Sequence, residues 1–508
     1  MDLDQVPFRG LGRRRWRRAH WGLVALLWLG LALRLALLLE NPLHQDEALY
    51  GYWGRLISSG RDPWLATAPV DKPPLALYLI AGGQAAFGVS EFALRLPGLA
   101  ASLLSIPLAY ALARHLYGDP AVGLVAAAVL ALTPYPLCFG ATALTDPLLI
   151  AGWLAACVAA VRGRWGWAGV LSGLALATKQ QALLLLPLTL GLGLARRRAG
   201  AAAWRREGAA AWRWEGARAL LGLGGVIALI CAWDAVRIAN GAGVGFWAQG
   251  VESYGGLRLI WPAELVPRGR DWLRLGGYLL GWPGGGVLWV GSVAALLAWD
   301  VTRRRRTWPA LVDLLLLAWV AFYLFFHFLV AFPVWDRYLL PLLPALGWLL
   351  GRAVRCALCA ARRVGPWARW GVALLLVVCL GGGGVLAAGG RVPVGGDHGA
   401  YDGLPQVIAY LRALPVGTVL YDRWLSWHYD FYLYDAYLYR AGFSAPGWLA
   451  ADAAAHDDGR PRYLVVPDWQ PSARLRRALE QVGLAMAPVL ETRRRDGTTS
   501  FIVYEIGR

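Results

Sequence analysis

"WGLVALLWLGLALRLALLLE" (residues 21–40) is a twenty-residue apolar run, and about 20 helical residues span a bilayer core. It is too long for the apolar region of a secretory signal, and no small-residue cleavage site follows it, so it reads as an uncleaved first span. "RRRWRR" (13–18) stands in front of it. Basic residues favour the cytoplasmic side, which places residues 1–20 in the cytoplasm. Behind it, "NPLHQDEALY" (41–50) opens an outer segment, 41–91, with interfacial helices expected over 46–58 and 75–88. Further apolar runs lie at 92–114, 120–136, 142–161, 165–178, 180–195, 219–239, 276–298, 310–330, 338–354 and 370–390. Between them sit basic stretches: "RRR" (196–198) with an Arg/Trp-rich continuation to 218, "RRRR" (303–306), and the segment from Arg352 to Arg369. The expected fold is an α-helical polytopic membrane domain of about 11 transmembrane helices over 21–390. An odd number of spans puts residues 391–508 outside the cell.

Composition supports the same class. A chain of 508 residues with 58% hydrophobic content is too apolar for an ordinary soluble enzyme. A net charge of +18 is also the mark of nucleic-acid binders. The arginines cluster in short inter-span stretches, however, so the partners expected are membrane lipids and no nucleic acid. The 28 tryptophans suit interfacial anchoring. All six cysteines lie at or before residue 379, in or beside spans, and Cys356 and Cys359 form a lone C-x-x-C that reads as small helix residues. The tail changes character. "GTVLYD" (417–422), "RYLVVPD" (462–468) and "SFIVYE" (500–505) read as strands, and 404–413 and 471–483 as helices, giving a small extracytoplasmic α/β domain. "YDRWLSWHYDFYLYD" (421–435) reads either as a glycan-binding surface or as the apolar face of a docking helix.

Two residues escape a strong bias. Of 50 basic residues only Lys72 and Lys179 are lysine. Lysine is a compact point charge suited to a phosphate oxygen or a buried carboxylate, where a planar guanidinium fits poorly. Lys72 sits in "VDKPPLALY" (70–78), where two prolines stiffen the turn after it. Mapped onto the topology, Asp46, Glu47, Asp71, Lys72, Asp146, Lys179, Arg337 and Tyr338 all fall on the outer face at similar depth. Charges near hydrocarbon are unfavourable unless paired or hydrated, so their convergence marks a functional site. Blander readings exist for each. Asp46 and Glu47 also suit the first turn of an interfacial helix, and Lys72 also suits snorkelling to headgroups. Asp146, before Pro147, also suits an N-cap, and Tyr338 a belt aromatic. His44 and His327 read as interfacial or packed histidines.

The stretches "HQDEALYGYWGRLISSGRDPW", "DKPPLALYLIAGGQAAFGVSEFALRLPGL", "TDPLLIAGWL", "LATKQQALLLLP" and "DRYLLPLLPALG" resemble, in order and spacing, the polyprenyl-phosphate-sugar-dependent membrane glycosyltransferases. These are the GT-C-fold enzymes related to protein O-mannosyltransferases and to the bacterial aminoarabinose transferase that modifies lipid A. The resemblance covers roughly 20–355. It implies that Asp46 is the catalytic base, accompanied by Glu47, and that Asp146 is the second site acid. It also implies that Lys179 pairs with the catalytic carboxylate, that Lys72 meets the lipid phosphate, and that Tyr338 reaches the same phosphate. It implies a divalent metal at Asp71. The aminoarabinose enzyme has Glu-Lys-Pro where Asp71-Lys72-Pro73 stands, and an arginine where Leu49 stands. It takes a histidine metal ligand from a later outer loop, where "FWAQGVESYGG" (246–256) offers only Glu252.

The chemistry expected is transfer of a sugar, with inversion, from a polyprenyl-phosphate donor to a hydroxyl of a glycan, lipid or protein at the outer face of the plasma membrane. Asp46 would serve as general base, and Lys72, with Arg337 and Tyr338, would stabilise the departing phosphate. A lipid-linked sugar flippase is the alternative; it predicts midplane charges and an internal repeat of spans, and no convincing repeat is seen. A third reading is a non-catalytic assembly protein that binds through its tail.

Overall fold

The computed structural model describes residues 13–199, 201–256, 258–302, 307–395, 399–456 and 458–508. The expected basic loop 303–306 and the first twelve residues lie outside the described residues. The chain forms two compact units. One comprises residues 1–39 and 56–395, the other 40–55 and 396–508.

The first unit is helical and belongs to an integral multi-pass membrane protein. Among the described residues six helices are long and apolar enough to cross a bilayer, or seven if a bent pair counts as one span. They are Arg18–Leu38, Glu91–Tyr117, Arg213–Ala239, Trp308–Leu329, Leu342–Val364 and Pro366–Ala388. The bent pair is Pro120–Leu132 with Pro134–Gly140, which meet at 53°. Pro134 causes the break, because it lacks the N–H that would continue the helix and starts a new one at its first position. Shorter apolar helices include Pro74–Phe87, Asp146–Val161 and Trp165–Leu176. The run expected as spans 165–178 and 180–195 resolves into Trp165–Leu176, a 3₁₀ turn Gln180–Leu185 and a helix Leu186–Ala199.

Small residues let these helices close on one another. A Cβ on Gly98 would stand 2.3 Å from the Thr142 carbonyl oxygen, so the helix Glu91–Tyr117 lies directly on the turn that leads to Asp146. The first span also buries Arg34 completely. Its guanidinium donates to Ser102 Oγ at 2.8 Å and to the carbonyls of Gly30 and Leu130 at 3.0 and 2.7 Å. Backbone carbonyls are the usual partners of an intramembrane cation lacking an acid.

The second unit is an α/β fold. Its sheet has the order β2-β1-β3-β5-β4, with β1 Val419–Asp422, β2 Tyr439–Gly442, β3 Arg462–Pro467, β4 Ala485–Arg493 and β5 Thr499–Gly507. β1 pairs parallel with β2 and β3, whereas β5 runs antiparallel to β3 and β4. β3 is buried at every position, as expected of a central strand covered on both faces. The strands near 417–422, 462–468 and 500–505 and both tail helices appear where the sequence indicates. The edge strands β2 and β4 do not announce themselves, since β2 reads "YRAG" and β4 carries Pro488 at an irregular register.

Residues 40–55 pack within this unit. Arg55 donates to the Phe431 carbonyl at 2.7 Å, pairs with Asp435 at 2.5 Å and lies 4.3 Å from the centroid of the Tyr434 ring. Arg495 donates to the Glu40 carbonyl at 2.8 Å. The aromatic stretch 421–435 contains the helix Ser426–Tyr432, with His428, Tyr429 and Phe431 buried, and it receives this early segment. His428 is fully buried, and its Nε2 donates to the Leu43 carbonyl at 3.0 Å. Burial pushes its pKa down to about 4, against the opposing pull of that carbonyl. The neutral ring is thus favoured in the fold, whereas the unfolded ring titrates near the ordinary imidazole value of 6.5. Its contribution is fully present above that pH and is lost as pH falls toward 4, with a limit of about 3 kcal/mol for this displacement. Thermal unfolding of the full chain between pH 7 and pH 4.5 checks this. Replacing His428 with Gln should flatten the decline.

Candidate functional site

Two breaks in the helical pattern create the first half of the site. The chain turns at Thr142–Thr145 and starts a helix at Asp146, with Pro147 in its first turn. Elsewhere a helix ends at Leu176, and Lys179 takes an extended conformation, φ −159° and ψ 134°, before the 3₁₀ turn. Both side chains are buried, and Lys179 Nζ lies 2.6 Å from Asp146 Oδ1. Asp146 Oδ2 is buried without a hydrogen-bond partner among the described residues. A buried carboxylate oxygen left unsatisfied is unfavourable, and it offers an acceptor to a substrate group.

The second half comes from the first outer loop. Lys72 is 4% exposed. Pro73 caps, and Pro74 opens, the helix that follows, which fixes the backbone beside the lysine. Lys72 Nζ pairs with the Asp71 carboxylate and donates to the Tyr254 hydroxyl at 3.0 Å. Burial works against its charge, but Tyr254 and Asp71 outweigh that penalty and its pKa is raised. The ammonium therefore stays charged at neutral pH. Tyr254 and Tyr338 each pack against the Trp335 ring, 5.7 Å between centroids, and Lys179 Nζ stands 5.2 Å from the centroid of the Tyr338 ring. The two lysines thus reach one cluster, Lys72–Tyr254–Tyr338–Lys179–Asp146. Backbone bonds tie the two loops together: Leu75 N–H donates to the Ala177 carbonyl at 2.8 Å, and Gln180 Nε2 donates to the Asp71 carbonyl at 2.8 Å.

Arg337 and Tyr338 occupy a 3₁₀ turn, Asp336–Leu339, and both are buried. The Arg337 guanidinium lies 4.4 Å from the Trp335 ring centroid. Asp336 holds the turn by accepting from the backbone N–H groups of Arg337 at 2.8 Å and Gly395 at 2.6 Å. Behind Tyr338, Tyr323 donates its hydroxyl proton to the Tyr338 carbonyl at 2.8 Å. Gln181 Nε2 contacts the Tyr323 hydroxyl and lies 3.1 Å from His327 Nε2. Tyr254, Gln180, Gln181 and Tyr323 are members of the site that the sequence reading passed over. The doubled glutamine beside Lys179 was the available signal, because amides at a helix break inside an apolar run need partners.

Asp46 and Glu47 lie in the second unit. Glu47 is 1% exposed, and its Oε2 accepts from the backbone N–H of His44 at 3.0 Å. His44 Nδ1 accepts in turn from the Asp46 N–H at 3.1 Å. This reciprocal arrangement satisfies two backbone donors at the start of the helix Gln45–Ser58, so Glu47 acts as a cap there. Asp46 is half-buried in the first turn of the same helix. For a metal, the acids present do not form a ready site. Asp71 is paired with Lys72, and Glu252 is exposed. No group of three or more His, Cys, Asp or Glu side chains is gathered among the described residues.

Residues 71–205 match the family of dolichyl-phosphate-mannose-protein mannosyltransferases. Curated relatives include the undecaprenyl phosphate-alpha-4-amino-4-deoxy-L-arabinose arabinosyl transferases of Pseudomonas paraeruginosa and Pseudomonas aeruginosa, each 31% identical over 193 residues. The match spans 35% of this chain and 35% of each relative. Among solved structures, ArnT from Cupriavidus metallidurans in the apo state aligns with a TM-score of 0.61 at 18% identity, over 95% of this chain and 97% of that one. The same protein bound to undecaprenyl phosphate aligns with a TM-score of 0.59 at 19% identity, with the same coverage. The Archaeoglobus fulgidus oligosaccharyltransferase aligns at 0.51 and 13% identity, over 96% of this chain and 74% of its own. At these identities the structural likeness is one of fold. With these matches beside the site geometry, the chain has the GT-C fold of these solved structures, and its residues 71–205 are similar to the dolichyl-phosphate-mannose-protein mannosyltransferases.

Proposed function

We propose that the chain is a glycosyltransferase that moves a sugar from a polyprenyl monophosphate to an acceptor hydroxyl of a glycan, lipid or protein. Transfer takes place at the extracytoplasmic face of the cell membrane. In this reading the N-terminus is cytoplasmic and residues 391–508 are extracytoplasmic. The observation that carries the reading is the meeting of Lys72, Tyr254, Tyr338, Lys179 and Asp146.

The acceptor oxygen attacks the anomeric carbon and gives its proton to a carboxylate acting as general base, the role that the sequence assigns to Asp46. The bond from that carbon to the phosphate oxygen breaks, and the electron pair leaves with the phosphate. Attack opposite the leaving group inverts the anomeric centre. Negative charge gathers on the phosphate as the bond breaks, so a cation there stabilises the transition state more than the ground state. Lys72 supplies it, with Arg337 and Tyr338 alongside. Lys179 orients Asp146, whose free oxygen faces a donor hydroxyl. No step is routed through a metal.

Purified protein in lipid is incubated with radiolabelled polyprenyl-phosphate sugars, and the species that gains label is identified. Transfer is expected in wild type. The Asp46→Asn variant should lose turnover by on the order of 10²–10⁴-fold while keeping donor affinity. Retained turnover removes Asp46 from the base role. Movement of the lipid-linked sugar across the bilayer without any transfer replaces the whole reading with a flippase.

A further inference from the structure

The outer end of the helix Ala201–Ala239 carries a part-buried ion pair that no part of the proposed reaction uses. Arg237 is 1% exposed, and its Nη1 donates to Asp234 Oδ1 at 2.8 Å. Its Nε donates to the Leu65 carbonyl at 3.2 Å and its Nη2 to the Ala68 carbonyl at 3.3 Å. Those carbonyls belong to the loop that leads into Lys72. Leu65 is fully buried and has φ +56°, a left-handed conformation that a leucine rarely adopts. Such a backbone persists only where its surroundings over-determine it. Here Asp62 accepts from the N–H groups of Ala66 and Thr67, both at 2.8 Å. Tyr78 donates to the Pro63 carbonyl at 2.7 Å and accepts from Trp233 Nε1 at 3.0 Å.

The same pair reaches a second loop. Asp234 Oδ1 accepts from the backbone N–H of Phe246 at 3.1 Å. A Cβ on Gly245 would stand 2.6 Å from Asp234 Oδ2, so any side chain there would displace the Asp234 carboxylate. Phe246 begins the short helix Phe246–Ser253, which delivers Tyr254. One helix end thus holds the carbonyls of the first loop and an amide of the second. The far ends of these two loops meet at Lys72 Nζ and the Tyr254 hydroxyl, 3.0 Å apart.

We propose that the Asp234–Arg237 pair is a positioning clamp that fixes the Lys72 loop and the Tyr254 loop against each other and so sets the phosphate end of the site. The pair touches no substrate. Its value to the site rests on the reading of Lys72 as the phosphate-binding group. Arginine is required because three separate acceptors are engaged in three directions, which an ammonium on a flexible stem cannot match.

The test uses the full chain in lipid, with Arg237→Met and Asp234→Asn. Amide hydrogen exchange is followed in 61–72 and 245–254, and affinity for undecaprenyl phosphate is measured in parallel. Arg237→Met is expected to speed exchange in both loops about tenfold, leaving the helix Glu91–Tyr117 unchanged. It should also weaken undecaprenyl phosphate about tenfold, and add nothing further when Lys72 is already alanine. Asp234→Asn, nearly isosteric, carries the same test if the first variant fails to fold, with the larger change in 245–254. A folded Arg237→Met whose exchange stays within about twofold of wild type in either loop overturns the clamp. So does loosening of both loops with unchanged affinity. If Lys72→Ala alone leaves that affinity intact, the phosphate reading of Lys72 falls, and exchange in the two loops still decides whether they are clamped.

Discussion

Lys72→Ala is expected to lower single-turnover transfer from a polyprenyl-phosphate sugar by on the order of 10²–10³-fold, the scale for losing one preorganised partner of a developing anion. The lysine is 4% exposed and held between Asp71 and Tyr254. Water therefore has little room to take over its role, and the charge it offers costs no reorganisation as the bond breaks. Lys72→Arg should recover little. The guanidinium is larger and planar, its donors diverge, and the stiff turn at Pro73–Pro74 leaves the backbone no freedom to compensate. Rapid-quench measurement at saturating donor separates this from weakened binding. Turnover of the alanine variant within about threefold of wild type would remove Lys72 from the transition state.

The second large effect concerns stability. Lys179→Met leaves the buried Asp146 with neither oxygen paired among the described residues, since Oδ2 already lacks a partner there. Breaking a buried ion pair from one side is worth roughly 3–5 kcal/mol of destabilisation. The double change Asp146→Asn with Lys179→Met should recover much of it, because both charges are gone and what remains is a neutral amide. Thermal unfolding of both variants in the same detergent checks the order. If Lys179→Met melts with wild type, the pair adds no ion-pair stability to the fold. If the double variant is stable but inactive, the pair is retained for chemistry.

Much of this arrangement was legible in the chain, for a physical reason. In a membrane protein an ionisable residue beside an apolar run must find a partner, so each one is a constraint readable without coordinates. The two lysines among 50 basic residues gave the site its first marks, and Asp146 and Tyr338 followed from their places at span ends. Tyr254 and the partners of the two glutamines were not legible. They are neutral, they tolerate either water or protein, and their roles depend on which loops the fold brings together. Arg237 was hidden for another reason. Among so many arginines one more at a span end reads as an interfacial anchor, and only the carbonyls of Leu65 and Ala68 distinguish it. In the tail, β3 was evident because burial on both faces forces an apolar run, whereas β2 leaves the surface pattern free to vary.

The packing of residues 40–55 with the tail has a consequence for biosynthesis. Arg55 and the Phe431 carbonyl are 376 positions apart, and Leu43 and His428 are 385 apart. A ribosome adding about 5–20 residues per second needs tens of seconds to cover that separation. Throughout that interval the segment bearing Asp46 has none of these contacts, because the residues that make them have not yet been synthesised. The acid reaches its final setting only when the last domain emerges, so a nascent chain in the membrane carries both lysines well before it carries a fixed Asp46.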